Sequence, residues 1–297
     1  LVVVIVLTTF MPNIAFAGGG LELEKSHEWV TGEYSYAMAN AAKDIDDDGI
    51  VEIVTAGYFY NATTIVNEGE VNIWNWNGTN LSEEHKETFG PYYTISNDTR
   101  FYAVALDNVD NETDTEVVIA GYGKLFGIQK QGLLIVTSWN GTAMKREAIA
   151  YWPLVLNETV FFDVAIADVD KDSITEIITV GYRNTTYFGM GFHGVMTIWN
   201  LTANVLTLET SAEFRISGDT VWQAVSIEDV DGDDNLEIMI AGYFYDKVLH
   251  HQCAMLRMCT WDGYTLDWEI SNQWYTYLDT YALDVAAGDL NSDGIPE

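Results

Sequence analysis

A chain of 297 residues with 45 acidic and only 13 basic side chains carries a formal charge of −32. That surplus repels phosphate backbones and anionic headgroups, which excludes nucleic acid as a partner and membrane insertion once any leader is removed. Ten Trp, 17 Tyr and 12 Phe exclude a disordered polyanion, because so much aromatic surface is normally buried.

The first segment, LVVVIVLTTFMPNIAFA, is an apolar run ending in Ala15-Phe16-Ala17. Small residues flanking a bulky one match a signal-peptidase site. They predict a signal peptide over 1–17, truncated at its start, and a mature chain from Gly18. The run from Leu1 to Phe10 is too short to span a bilayer. Next, LELEKSHEWVTGEYSYA from Leu21 resembles LTLETSAEFRISGDTVWQA from Leu206. It reads as an outer strand lacking its own sheet, one that would complete the last blade of a closed ring. Nine of the 19 Asn residues begin Asn-X-Ser/Thr sequons, at positions 61, 77, 80, 97, 111, 140, 157, 184 and 200. With the leader they predict a secreted or cell-surface glycoprotein. An acidic, sequon-rich chain hints at an archaeal cell surface.

From there the chain repeats. DIDDDGIVE, NVDNETDTE, DVDKDSITE, DVDGDDNLE and DLNSDGIPE begin at Asp44, Asn108, Asp168, Asp229 and Asp289. Trp76, Trp139, Trp199 and Trp261 recur in phase, each followed by Asn or Asp and mostly by Gly. Gly-Tyr recurs at Gly57, Gly121, Gly181 and Gly242, five residues after the final acid of each of the first four segments. Each repeat reads as four strands, the last two joined by the Asn-Gly turn. Repeats near 33–97, 98–157, 158–218, 219–277 and 278–297 make an all-β chain, a β-propeller of four-stranded blades over 18–297. Four complete blades and the start of a fifth predict a fragment of a larger ring, with six to eight blades in total (the usual range being about four to eight). Alone, these residues would form an open arc.

The acidic segments have a direct chemical reading. Calcium takes hard oxygens, and a tight loop presents side chains from positions one, three and five, a carbonyl from seven and a carboxylate from nine. The first loop offers Asp44, Asp46, Asp48, the Ile50 carbonyl and Glu52. The second offers Asn108, Asp110, Glu112, Asp114 and Glu116. It is the weakest, with a neutral first ligand and Thr113 where Gly is expected. The third offers Asp168, Asp170, Asp172, Ile174 and Glu176, and the fourth Asp229, Asp231, Asp233, Asn235 and Glu237. The fifth offers Asp289, Asn291, Asp293, Ile295 and Glu297. Up to five calcium ions are expected, each joining two strands, so that binding energy becomes folding energy. Ser173 and Asp234 also stand in place of the turn glycine.

This phased pattern resembles the FG-GAP/VCBS repeat family, the calcium-binding blades of integrin-α-like propellers. The resemblance covers nearly the whole mature chain, with Glu instead of the usual Asp at the ninth position of every copy. It implies a role in adhesion, matrix contact or surface scaffolding, with an extracellular protein or glycan as ligand.

Elsewhere the chain is less informative. Cys253 and Cys259 would be bridged only if a hairpin separated them. On one strand they would be about 20 Å apart, and buried thiols are the default. His250, His251 and Cys253 match no strong zinc spacing. The recurring Trp reads as blade core rather than a sugar platform. There is no G-x-S-x-G, H-E-x-x-H or P-loop, and no catalytic residue is assigned. The chain therefore reads as an adhesion or scaffold module rather than an enzyme. A carbohydrate-active propeller enzyme (glycosidase or lyase) and a self-assembling subunit of a surface layer are the alternatives.

Overall fold

The computed structural model describes residues 28–90, 96–110, 112, 114–125, 129–153, 158–185, 191–276, 278–291, 294 and 296. The expected signal peptide and residues 21–27 of the expected Leu21 strand lie outside them, and residues 28–34 form no strand. Four antiparallel four-stranded sheets follow one another along the chain. Sheet I contains β1 (Ser35–Lys43), β2 (Glu52–Asn61), β3 (Val66–Trp76) and β4 (Leu81–Phe89). Sheet II contains β5 (Ser96–Asp107), β6 (Glu116–Leu125), β7 (Gln129–Trp139) and β8 (Met144–Trp152). Sheet III contains β9 (Glu158–Ala167), β10 (Glu176–Asn184), β11 (Phe192–Thr202) and β12 (Val205–Phe214). Sheet IV contains β13 (Thr220–Glu228), β14 (Glu237–Asp246), β15 (His251–Trp261) and β16 (Leu266–Trp274). Among the described residues after Trp274 no strand forms, although Tyr281 packs on Tyr243 with ring centroids 4.8 Å apart.

The strands are continuous apolar runs because each middle sheet is buried on both faces. In β6, Val117 and Ile119 pack toward sheet I, while Val118 and Ala120 pack toward sheet III. In β10, Ile177 joins the core with sheet II, while Ile178 and Val180 join the core with sheet IV. The period of two thus sorts each strand into two separate cores. The first strands of successive sheets touch, β1 on β5, β5 on β9 and β9 on β13. Sheets I and IV each have one uncovered face, where Ala42 and the half-buried Trp76 gather in sheet I and Ile270 and Trp274 of sheet IV are 48% and 44% exposed.

The Trp that ends each third strand is core in three sheets. Trp139, Trp199 and Trp261 are buried. Trp76 is only half-buried because it stands on the uncovered face of sheet I, where Trp74 is the buried ring. The Gly-Tyr glycines answer to a close approach. In each first strand a bulge interrupts the register beside them, at Met38, Tyr102, Phe162 and Gln223. A Cβ at Gly57 or Gly181 would fall 1.8 or 1.9 Å from the Tyr36 or Val160 carbonyl oxygen.

Cys253 and Cys259 are free, buried and on the same strand, β15, so no bridge joins them. Among the described residues no helix is long and apolar enough to cross a membrane.

Candidate metal centres

Each of the first four acidic segments connects the first and second strands of its sheet, and the conformation recurs. The amide at position six donates to the carboxylate at position one: Gly49 to Asp44 (3.0 Å), Ser173 to Asp168 (3.1 Å), Asp234 to Asp229 (2.9 Å) and Gly294 to Asp289 (2.9 Å). Position six is left-handed whether or not it is glycine, with φ of 86° at Gly49, 72° at Ser173 and 70° at Asp234. Ser173 and Asp234 therefore replace glycine without altering the turn, at the modest cost of a left-handed L residue. Position nine is anchored in the same way each time. One oxygen of Glu52, Glu116, Glu176 and Glu237 accepts the amide of Ile45, Val109, Val169 and Val230, at 2.8–3.0 Å.

Several of these acidic clusters could coordinate a metal ion. Carboxylate oxygens of Asp44, Asp46 and Asp48 lie within 4.8 Å of one another, as do those of Asp168, Asp170 and Glu176, and of Asp229, Asp231 and Glu237. The donor chemistry fits a hard cation. Asp44 Oδ1, Glu52 Oε1, Glu116 Oε1, Asp168 Oδ1 and Glu176 Oε1 are buried and have no hydrogen-bond partner. Such orphaned oxygens are costly unless a ligand meets them. Burial, with neighbouring carboxylates adding to it, pushes Glu52 up to about 7 and Glu116 and Glu176 up to about 8.

The sequence-predicted residues are not all brought together. Asp172 and Asp233 lie outside these groups, and they accept the amides of Ile174 and Asn235 just as the clustered Asp48 accepts that of Ile50, each at 2.7 Å. In the second loop the Asn108 side-chain amide donates to the Glu112 backbone carbonyl, and the Glu112 carboxylate is not among the gathered acids. Asp110 and Glu116 meet Glu147 of β8 there, a residue outside the sequence motif. Asp293, Ile295 and Glu297 lie outside the described residues. The Cys253 sulfur sits 3.8 Å from His251 Nδ1, with no third ligand gathered among the described residues.

The loops also join sheets. Asp46 of sheet I lies against the Asn-Gly turn of sheet II at Gly141, and Asp170 of sheet III against Gly263 of sheet IV. The equivalent Gly78 of sheet I faces open space.

At the far end of the same hairpins, about 20 Å along the strands, the Gly-Tyr tyrosines form an aromatic track. Tyr36 stacks on Tyr58 (4.9 Å), and the bulged Tyr102 lies between Tyr58 (6.3 Å), Tyr122 (6.1 Å) and Phe162 (5.4 Å). Phe162 continues to Tyr182 (5.7 Å). Arg100 lies over Tyr58 and Tyr122, at 4.7 and 5.9 Å from the ring centres. Lys124 pairs with Asp98 at 3.4 Å and Lys130 with Glu158 at 2.5 Å. An open cleft of about 200 Å³ is lined by Tyr34, Tyr36, Tyr58, Tyr60, Asn67 and Arg100. Burial holds the Tyr102, Tyr122 and Tyr182 hydroxyls above the ordinary phenol range.

No protein-family model and no curated protein matches the chain. Among the solved structures similar to the chain are two lyases. Rhamnogalacturonan lyase YesW is 14% identical at a TM-score of 0.45, covering 76% of this chain and 47% of its own. The Bacillus licheniformis rhamnogalacturonan lyase PL11 is 13% identical at a TM-score of 0.47, covering 82% and 52%. The chain thus spans about half the length of these structures. These findings correct the sequence reading. The FG-GAP/VCBS resemblance, with its integrin-like and archaeal attributions, is withdrawn because no such family model matches. The adhesion or scaffold role, which that resemblance implied, is withdrawn with it, and so is the expectation of a non-enzyme. The loop motif reports a way of gathering carboxylates, which unrelated functions share.

Proposed function

We propose that the chain is a calcium-stabilised part of a β-propeller whose tyrosine-lined end takes a saccharide, making it a carbohydrate-active module. The cleft carries this reading. Tyr58 and Tyr36 present aromatic rings, Asn67 supplies an amide and Arg100 a planar fork of donors. Apolar faces with a few convergent polar groups suit a sugar ring, which is itself apolar on its faces and polar at its edge. Arg100, Asp98 and the paired lysines would orient the ligand, and no residue is assigned a chemical step.

Calcium is the cation that suits the loops, because every donor that the clusters gather is a carboxylate oxygen. The residues to hold it are Asp44, Asp46, Asp48 and Glu52, Asp110 and Glu116, Asp168, Asp170 and Glu176, and Asp229, Asp231 and Glu237. A ring of more than four blades is supported by the uncovered apolar faces of sheets I and IV and by the open space at Gly78, where the two equivalent turns of sheets II and IV meet a loop aspartate. Secretion belongs to the same reading, with exposed Asn77, Asn80 and Asn140 as glycan acceptors.

The test is calorimetric titration with neutral and uronic-acid-containing oligosaccharides, paired with a reducing-end assay on the parent polysaccharides. At least one saccharide should bind, and Tyr58→Ala should weaken it by about 1–3 kcal/mol, the scale of a lost aromatic platform. Binding that survives both Tyr58→Ala and Arg100→Ala, or no binding by any saccharide, would refute the assignment.

A further inference from the structure

A glutamate recurs in phase outside the acidic loops, at Glu84, Glu147, Glu209 and Glu269. Each is the extra residue of a bulge in the fourth strand of its sheet. The register jumps from His85 to Glu83 opposite β3, from Ala148 to Arg146 opposite β7, from Thr210 to Leu208 opposite β11 and from Ile270 to Trp268 opposite β15. A bulge re-aims the side chain it adds. Here each bulged carboxylate bears electrostatically on the ninth-position glutamate of its own loop, in the pairs Glu84–Glu52, Glu147–Glu116, Glu209–Glu176 and Glu269–Glu237.

We propose that these bulged glutamates are cation ligands, so that each site is closed by the fourth strand as well as by the loop. The assignment rests on the reading of the loops as calcium sites. The second sheet carries it furthest. Glu147 is 2% exposed at its side chain and Glu116 is fully buried. Asp110, Glu116 and Glu147 place carboxylate oxygens within 4.8 Å of one another. One oxygen of Glu147 is already used, accepting from Ser138 Oγ at 2.9 Å and lying 3.3 Å from the exposed Lys145 ammonium. The other, Oε2, is buried without a partner, and so is Oε1 of Glu116. The third sheet repeats the arrangement. Glu209 Oε1 accepts from Asn200 Nδ2 at 2.7 Å, and its Oε2 is buried and unpartnered, as is Glu176 Oε1.

Two buried, unpartnered carboxylate oxygens call for a proton, a bridging water or a cation between them. The cation explains more. The second loop has a neutral amide at position one and the longer Glu112 at position five, and Glu147 adds a carboxylate from across the sheet. The bulge in all four fourth strands then has a reason that strand packing alone does not give it.

Calcium titration of the full chain by calorimetry, with melting in chelator as the second measurement, separates the cases. Glu147→Gln keeps the shape and the Ser138 bond but removes the charge. It should weaken one calcium site by about tenfold or more while leaving melting in chelator unchanged or raised. Glu209→Gln should do the same at another site. Glu84→Gln, at an exposed position, supplies the measurement should the buried variants fail to fold. Variants that bind calcium as the wild type does would overturn the assignment and favour a shared proton or water, leaving the loop reading intact. A wild type that binds no calcium would overturn both.

Discussion

Gly181→Ala tests the bulged geometry that underlies both ends of each sheet. The added Cβ would lie 1.9 Å from the Val160 carbonyl oxygen and 2.9 Å from Phe161 Cα, both backbone atoms that no rotamer change can move. Ordinary contact lies at roughly 3.5 Å, so β9 and β10 would have to part by about 1.6 Å at this point. Parting them disturbs the pairs Gly181↔Phe161 and Tyr182↔Val160. Overpacking costs about 1–3 kcal/mol, and about two weakened ladder bonds add near 1 kcal/mol each. The expected loss is about 3–5 kcal/mol, a large share of a typical stability of about 5–15 kcal/mol. Urea unfolding in saturating calcium measures it, with Gly288→Ala as a control because nothing lies within 4 Å of its added Cβ. The control should stay within about 0.5 kcal/mol of wild type. A loss below about 1 kcal/mol for Gly181→Ala would refute the close approach and, with it, the bulge that aims Phe162 at Tyr182.

Asp168→Ala should lower the calcium-dependent gain in melting temperature more than Asn108→Ala, because Asp168 belongs to a converged carboxylate cluster and Asn108 does not; equal losses in differential scanning would contradict this. Asp163 links sheets III and IV by accepting the Val164 and Val225 amides, both at 2.9 Å, and burial pushes it up to about 6. A carboxyl raised in the folded state costs nothing below its unfolded value and destabilises as pH climbs through the folded one. Wild type should therefore lose stability relative to Asp163→Asn between about pH 4 and pH 7, read from urea midpoints; a difference that does not change with pH would dismiss it. Arg100→Ala removes a cation from over Tyr58 and Tyr122. It should weaken saccharide binding with little change in calcium affinity, and a loss of calcium binding would show that the two ends are not independent.

The repeat was legible because its landmarks answer to local chemistry. The acids gather at tight turns, the Asn-Gly pairs make hairpins and the Gly of Gly-Tyr stands where a Cβ would meet backbone. The apolar runs, such as Leu133-Leu134-Ile135-Val136, identified strands, and the structure adds that alternate residues serve different cores. What escaped depends on register between strands. Glu84, Glu147, Glu209 and Glu269 read as ordinary exposed residues of an amphipathic strand, because a bulge breaks the alternation that assigns a face. Their spacings of 63, 62 and 60 were available as a signal. The tyrosine of Gly-Tyr was seen as a landmark, but its alignment with Tyr102, Phe162 and Arg100 needs the sheets side by side. Function was least legible, since a cation loop states how a sheet is held and not what it binds.

The most direct test of the cation-held sheets is melting of the full chain in excess chelator and in millimolar calcium, with the bound metal counted by equilibrium dialysis. The loops predict a markedly higher melting temperature in calcium and more than one ion bound per chain. Identical melting curves with no bound calcium would contradict the account.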